Sequence, residues 1–248
     1  MVTYCLIGGK SNDLSLNKIE KNIIKLSKKD NPLILFCPFA KEDINKSISR
    51  FHELMKDVSN NIIDLTFENI NQFDELLNKS DILYIAGGTC DLLVSIFKKY
   101  QLDKILKKYI NSDKIYAGDS AGAMLFTKIA MGDKYVYSNN NHNYNYKMVE
   151  CLGLLNITIC PHYNNEDLII YNDEIKKYDL EAFGIEENSC LVIENNMFYS
   201  IKEFKNVSVY YFDKVNHILS DVKENKKYEI CSIRSWRYIF RYRSKKIY

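Results

Sequence analysis

Short apolar runs bounded by turn residues alternate with longer stretches of helical period, and this rhythm restricts the chain to a layered α/β arrangement. The runs fall at 2–7, 33–37, 62–66, 82–86 and 115–117. Between them, Ile44, Ile48, Phe51 and Met55 recur at i, i+4, i+7 and i+11, the spacing of a helix with one buried face. Leu92, Leu93, Ile96 and Phe97 repeat the pattern, as do Leu102, Ile105, Leu106, Tyr109 and Ile110. Alternation of this kind predicts right-handed crossovers and a doubly wound, mostly parallel sheet with helices on both faces. Such sheets carry their sites in the loops at the carboxyl ends of the strands.

The rhythm changes after residue 130. Residues 132–148, rich in Asn and Tyr, predict a long surface loop. An apolar run at 157–160 leads into Pro161-His162-Tyr163 and then a helix around 167–178. Further on the pattern turns to β. Runs at 190–194 and 197–201 flank Asn195-Asn196, a hairpin signal, and strands are expected at 207–212 and 228–233. These predict a C-terminal β-hairpin and antiparallel additions at the sheet edge. The basic, aromatic tail at 233–248 is expected to be solvated or docked; one short basic run does not make a nucleic-acid site. With no internal repeat and no linker composition, residues 1–248 read as a single α/β domain.

Composition narrows the function classes. The chain has 248 residues, 46% hydrophobic and 27% charged, as in an ordinary globular protein. Its net charge of +2 argues against a strongly anionic partner, nucleic acid included. No apolar run approaches the roughly 20 residues that cross a bilayer. The first residues read as a strand rather than a signal peptide. Seven cysteines, odd in number and without a C-x-x-C pair, favour neither a disulfide framework nor a metal clip, and a reducing cytoplasm is the expected location. No cofactor is called for.

The chemistry concentrates at Ile115-Tyr116-Ala117-Gly118-Asp119-Ser120-Ala121-Gly122-Ala123. This is G-x-S-x-G with an apolar strand before it and a helical start after it. Small flanking residues permit the sharp turn that lifts a serine hydroxyl to the top of a sheet. The bland alternative is a serine that merely caps a helix. A nucleophilic serine needs a base within hydrogen-bond reach. Of four histidines, His52 lies in a regular amphipathic helix, His142 in the Asn-rich loop and His217 in the C-terminal β region. His162, at the end of a predicted strand, is the expected base. Asp133 is the first choice for the carboxylate that fixes the imidazole, with Glu150 and Glu166 as rivals. Backbone donors for an oxyanion are expected from Ala121 and from Gly88 in the turn Ala86-Gly87-Gly88-Thr89. Gly87, Thr89 and Asp119 are assigned to the substrate-facing surface. Gly8-Gly9-Lys10-Ser11 is not a phosphate loop, because Tyr4 stands where its first glycine belongs.

These residues together resemble the peptidase E family of serine peptidases, which includes aspartyl dipeptidases and, more distantly, cyanophycinases, within the class I glutamine amidotransferase-like fold. The resemblance rests on Ala86-Gly87-Gly88-Thr89 followed by Leu92-Leu93, on Gly118-Asp119-Ser120-Ala121-Gly122-Ala123, and on Gly153-Leu154-Leu155 leading to Cys160-Pro161-His162-Tyr163. It implies Ser120 as nucleophile, His162 as base, and Gly88 and Ala121 as oxyanion donors, acting on a small peptide without a metal. The chain departs from the family in Asp119 before the nucleophile and in a glycine turn that reads Ala86-Gly87-Gly88-Thr89-Cys90 where the family usually has G-G-G-N-T. An esterase or acyl transferase with the same residues, or a non-catalytic binding module, are the competing expectations. A homodimer is compatible with such a sheet.

Overall fold

The computed structural model describes residues 1–133, 146–163, 169–213, 219–224 and 226–230. A first sheet forms from the predicted runs: β1 (Thr3–Ile7), β2 (Ile34–Cys37), β3 (Ile62–Asp64), β4 (Ile82–Ile85) and β5 (Ile115–Asp119) lie parallel in the order β1-β5-β4-β2-β3. Helices α1 (Lys18–Leu26) and α2 (Ile44–Met55) cover one face, burying Ile19, Ile23, Phe51 and Met55 against Ile7, Phe36, Tyr84 and Ala117. Phe36 and Phe51 stack with ring centroids 3.9 Å apart. Helices α3 (Phe73–Lys79), α4 (Cys90–Lys99) and α5 (Leu102–Lys108) cover the other face through Phe73, Leu77, Leu93, Phe97, Leu102 and Leu106. The helical spacing predicted these faces, although Leu92 is 37% exposed and Ile44 and Ile48 are only partly buried.

The antiparallel additions also form. β10 (Ser189–Glu194) and β11 (Met197–Lys202) make a hairpin on the outer side of β1, extended by β14 (Tyr228–Glu229). Asn195 and Asn196 both take positive φ at its turn (51° and 61°), as a two-residue hairpin loop demands.

A second sheet was not separated from the first by sequence pattern. It runs β13-β12-β9-β8-β6-β7, with β6 (Thr127–Asp133), β7 (Tyr146–Glu150), β8 (Leu155–Pro161), β9 (Glu181–Ile185), β12 (Val209–Phe212) and β13 (Leu219–Asp221). β6, β8 and β9 are parallel neighbours. Of the loop expected at 132–148, Gly132 and Asp133 belong to β6 and Tyr146–Met148 to β7, paired antiparallel to it, while 134–145 lie outside the described residues. The helix expected around 167–178 is α7 (Ile169–Glu174) and a single 3-10 turn at Ile175–Lys177. One apolar cluster joins Leu6, Leu35 and Leu83 of the first sheet to Ile157, Ile159, Phe183 and Ile185 of the second. Among the described residues no helix is long and apolar enough to cross a membrane. The tail at 233–248 lies outside the described residues.

Candidate active site

Ser120 stands alone between β5 and α6 (Ala121–Leu125). Its backbone takes φ 49° and ψ −110°, a conformation that costs a non-glycine residue about 1–3 kcal/mol. The surroundings enforce it. The Ser120 N–H donates to the Ile7 carbonyl at 2.9 Å, and the Ser120 carbonyl accepts from the N–H groups of Ala123 (2.9 Å) and Met124 (3.0 Å). Close packing completes the elbow, since a Cβ on Gly122 would lie 2.2 Å from the Ile85 carbonyl oxygen. Only glycine lets α6 approach β4 this closely.

His162 follows β8, also at positive φ (55°), with its N–H bonded to the Gly8 carbonyl at 2.7 Å. Its Nε2 lies 2.8 Å from the Ser120 Oγ. Its Nδ1 lies 2.9 Å from Glu187 Oε1. With Nδ1 protonated, the ring donates to the carboxylate and offers Nε2 as acceptor to the hydroxyl. The hydrogen bond from His162 holds the Glu187 carboxyl below its ordinary range; partial burial opposes this, and the imidazole charge reinforces it. The ring is wedged in place. Gly9 (φ 136°) lies against it so closely that a Cβ there would come within 2.3 Å of His162 Cε1.

Topology explains why these side chains meet. β8 and β9 are parallel with Pro161 opposite Ile185, so His162 and Glu187 leave the same edge of the second sheet one and two residues later. The 186–188 turn then crosses to β10 in the first sheet. Asn188 pins it there: its N–H donates to the Gly9 carbonyl at 2.8 Å, and its Oδ1 accepts from the Ser11 N–H at 3.1 Å.

Ser120 and His162 are therefore brought together, and the carboxylate on Nδ1 is Glu187, which the sequence reading did not name. Asp133 ends β6 opposite Tyr146, and its side chain lies outside the described residues, as does all of Glu166. Glu150 is exposed on β7. The available signal for Glu187 was the acidic pair Glu186-Glu187 directly after the apolar residues 182–185. His52 bonds Asp64 at the surface, whereas His142 and His217 lie outside the described residues. Gly87 abuts Ser120: a Cβ there would lie 3.0 Å from Asp119 Oδ2 and 3.1 Å from Ser120 Cβ. Gly88 and Thr89 continue the turn, anchored by a 2.8 Å bond from the Thr89 N–H to the Ala40 carbonyl. Ala121 opens α6 directly after Ser120.

A cavity of about 490 Å³ opens beside Gly87 and Asp119. Phe36, Phe51, Tyr84 and Ala86 supply its buried wall, and exposed Lys41, Glu42, Asp43, Lys46 and Arg50 supply its rim. Burial raises the Asp119 carboxyl above its ordinary value; the charges of His162, Lys10, Lys41 and Arg50 work against this.

Comparison with known proteins gives a consistent answer. The model of Peptidase family S51 matches residues 5–201. A Bacillus subtilis protein named uncharacterized peptidase YgaJ is 23% identical over 227 residues, covering 89% of this chain and 95% of its own. The Listeria monocytogenes protein named uncharacterized peptidase Lmo0363 is 30% identical over 107 residues, 42% of this chain and 50% of its own. Among solved structures, a peptidase from an acI-B1 actinobacterium superposes with a TM-score of 0.69 at 18% identity, covering 92% of this chain and 97% of that one. A putative peptidase E protein from Listeria monocytogenes gives a TM-score of 0.58 at 19% identity, covering 82% and 98%. These two likenesses establish the fold.

Proposed function

The chain belongs to peptidase family S51, and from that premise we propose that it hydrolyses an amide bond of a short peptide through Ser120, His162 and Glu187. The observation that carries the reading is the continuous relay from the Ser120 hydroxyl to His162 (2.8 Å) and on to Glu187 (2.9 Å). Ser120 Oγ attacks the scissile carbonyl carbon while its proton passes to His162 Nε2. Glu187 fixes the ring tautomer and stabilises the imidazolium. The carbonyl oxygen, now negative, lies between the backbone N–H groups of Gly88 and Ala121. The tetrahedral intermediate collapses, the C–N bond breaks, and the departing amine takes the proton from His162. Water, deprotonated by the same imidazole, then attacks the acyl-enzyme; the C–Oγ bond breaks, the acid departs, and His162 returns the proton to Ser120 Oγ. Gly87, Thr89 and Asp119 border the acyl portion of the substrate.

The test is intact-mass labelling with a fluorophosphonate probe on wild type, Ser120→Ala and His162→Ala, run beside a panel of dipeptides. Stoichiometric labelling of the wild type, lost in both variants, together with dipeptide turnover is the expected result. A folded wild type that neither labels nor turns over peptide rejects the reading.

A further inference from the structure

Cys90 and Cys151 are 61 residues apart in sequence, yet their Sγ atoms lie 3.8 Å apart in the core. Both are free thiols, 4% and 9% exposed. Cys90 opens α4 directly after the Gly87-Gly88-Thr89 turn, and Cys151 directly follows β7. A second contact joins the same two segments, the ion pair of Lys147 on β7 with Asp91 on α4 (3.1 Å). The Cys151 thiol also donates to the Val149 carbonyl at 3.4 Å. The two sulfur atoms are thus in contact, and a disulfide of about 2 Å requires them to close by roughly 2 Å more.

Their place in the fold sets them apart from Cys5 and Cys190, which lie on the neighbouring strands β1 and β10. Those two are fully buried inside a ladder whose register sets Cys5 opposite Val192 and Cys190 opposite Ile7, so a bridge between them would run diagonally across paired strands. Cys90 and Cys151 stand at the ends of their elements, and no strand pairing fixes one against the other. They also differ as acids. The contact with Cys151 and burial hold the Cys90 thiol well above its ordinary range. Cys151, the more exposed of the two, is therefore the thiol that meets a reagent first.

We propose that Cys90 and Cys151 form a redox modification site: a peroxide oxidises the pair to a disulfide, a dithiol reverses it, and the bridge lowers the reactivity of Ser120. With hydrogen peroxide, the Cys151 thiolate attacks one oxygen, the O–O bond breaks, and a sulfenic acid forms. The departing hydroxide takes up the proton that Cys151 released, giving water. The Cys90 sulfur then attacks the sulfenic sulfur; the S–O bond breaks, the S–S bond forms, and a second water leaves with the Cys90 proton. Each sulfur gives up one electron, and the peroxide is reduced to two waters. The effect on Ser120 rests on the serine peptidase reading above. The N–H groups of Cys151, Leu152 and Gly153 donate to the carbonyls of Lys128 (3.1 Å), Leu125 (3.1 Å) and Thr127 (2.8 Å), lacing this segment to the chain around the end of α6. The start of α4 is held more lightly, through the Thr89 N–H and the Ala40 carbonyl (2.8 Å), and takes up the movement. Gly88 lies against the same residue so closely that a Cβ there would come within 1.9 Å of the Ala40 oxygen. Drawing Cys90 towards Cys151 therefore displaces the turn that carries the proposed Gly88 oxyanion donor.

The test incubates the folded full chain with hydrogen peroxide, then quenches, unfolds and alkylates it and maps its peptides by mass. Expected is a cross-linked pair of peptides joining Cys90 to Cys151, lighter by two hydrogens and separated again by dithiothreitol. Fluorophosphonate labelling of Ser120 should slow by about 10-fold or more in the bridged protein. It should recover with dithiothreitol, which does not reverse methionine oxidation. Cys90→Ala and Cys151→Ala should each form no bridge and keep their labelling rate through the same treatment; should one of them fail to fold, the other carries the comparison. A wild type whose Cys90 and Cys151 stay unlinked, whatever becomes of its other thiols, overturns the proposal, as does a bridge that leaves the labelling rate unchanged. A wild type that forms the bridge but never labels, even when reduced, supports the modification site and overturns the serine peptidase reading alone.

Discussion

At the residue scale the informative position is Glu187, whose carboxylate, in the mechanism proposed above, works through His162 alone. The hydrogen bond to His162 Nδ1 decides which ring nitrogen faces Ser120. Glu187→Gln keeps the size and a hydrogen-bonding atom but removes the charge. Expected is a fall in kcat/KM of about 10²–10⁴-fold with a smaller change in KM, measured on the best dipeptide. The same contact has a signature in stability. Its carboxyl titrates below the unfolded value, so the folded state binds the proton less tightly than the unfolded one. The stabilisation is complete above the unfolded glutamate value of about 4.3 and is lost as pH falls through the lower folded value. The difference in Tm between wild type and Glu187→Gln should shrink over that acidic window. Both side chains are 42% exposed, so the energy involved is small.

At the scale of elements, the elbow depends on how closely α6 lies against β4 and β5. Gly122→Ala introduces a methyl 2.2 Å from a backbone oxygen that has no freedom to move. The helix must shift, taking Ala121 and Ser120 with it. Destabilisation of about 1–3 kcal/mol by urea unfolding is expected, with slower fluorophosphonate labelling of Ser120 than in wild type. Much of this element was legible in sequence: the apolar run before Gly118 and the small residues around Ser120 define a strand, a sharp turn and a helix start. The five parallel strands and the Asn195-Asn196 hairpin were legible for the same reason, each being written in a local pattern. The second sheet was not. β6 pairs with β7 and β8, and β9 with β8 and β12, yet nothing within 127–133 or 181–185 states that these strands form a sheet of their own. Glu187 was hidden for that reason. Its role follows from the parallel registry of β8 and β9, which no local window contains.

Across the whole molecule, stability and site geometry share one buried charge cluster. Lys10 follows β1 and reaches Glu20 on α1 and Glu203 after β11, all nearly excluded from solvent. Tyr84 of β4 donates to the second Glu20 oxygen at 3.2 Å. Glu203 also accepts from the Lys18 and Ile19 N–H groups at the start of α1 (3.1 and 3.0 Å), capping that helix from a distant part of the chain. Lys10→Ala leaves two buried carboxylates facing each other without a cation. A loss of about 3–5 kcal/mol in chemical unfolding is expected, far beyond what a surface lysine contributes. Sheet, helix and hairpin are thus tied together directly beneath the loop that carries Gly9. That glycine has no reactive atom, yet the imidazole occupies the space where its side chain would begin. Its contribution is a vacancy: position 9 brings no functional group, yet it has as little room for a side chain as Gly122 beside Ser120.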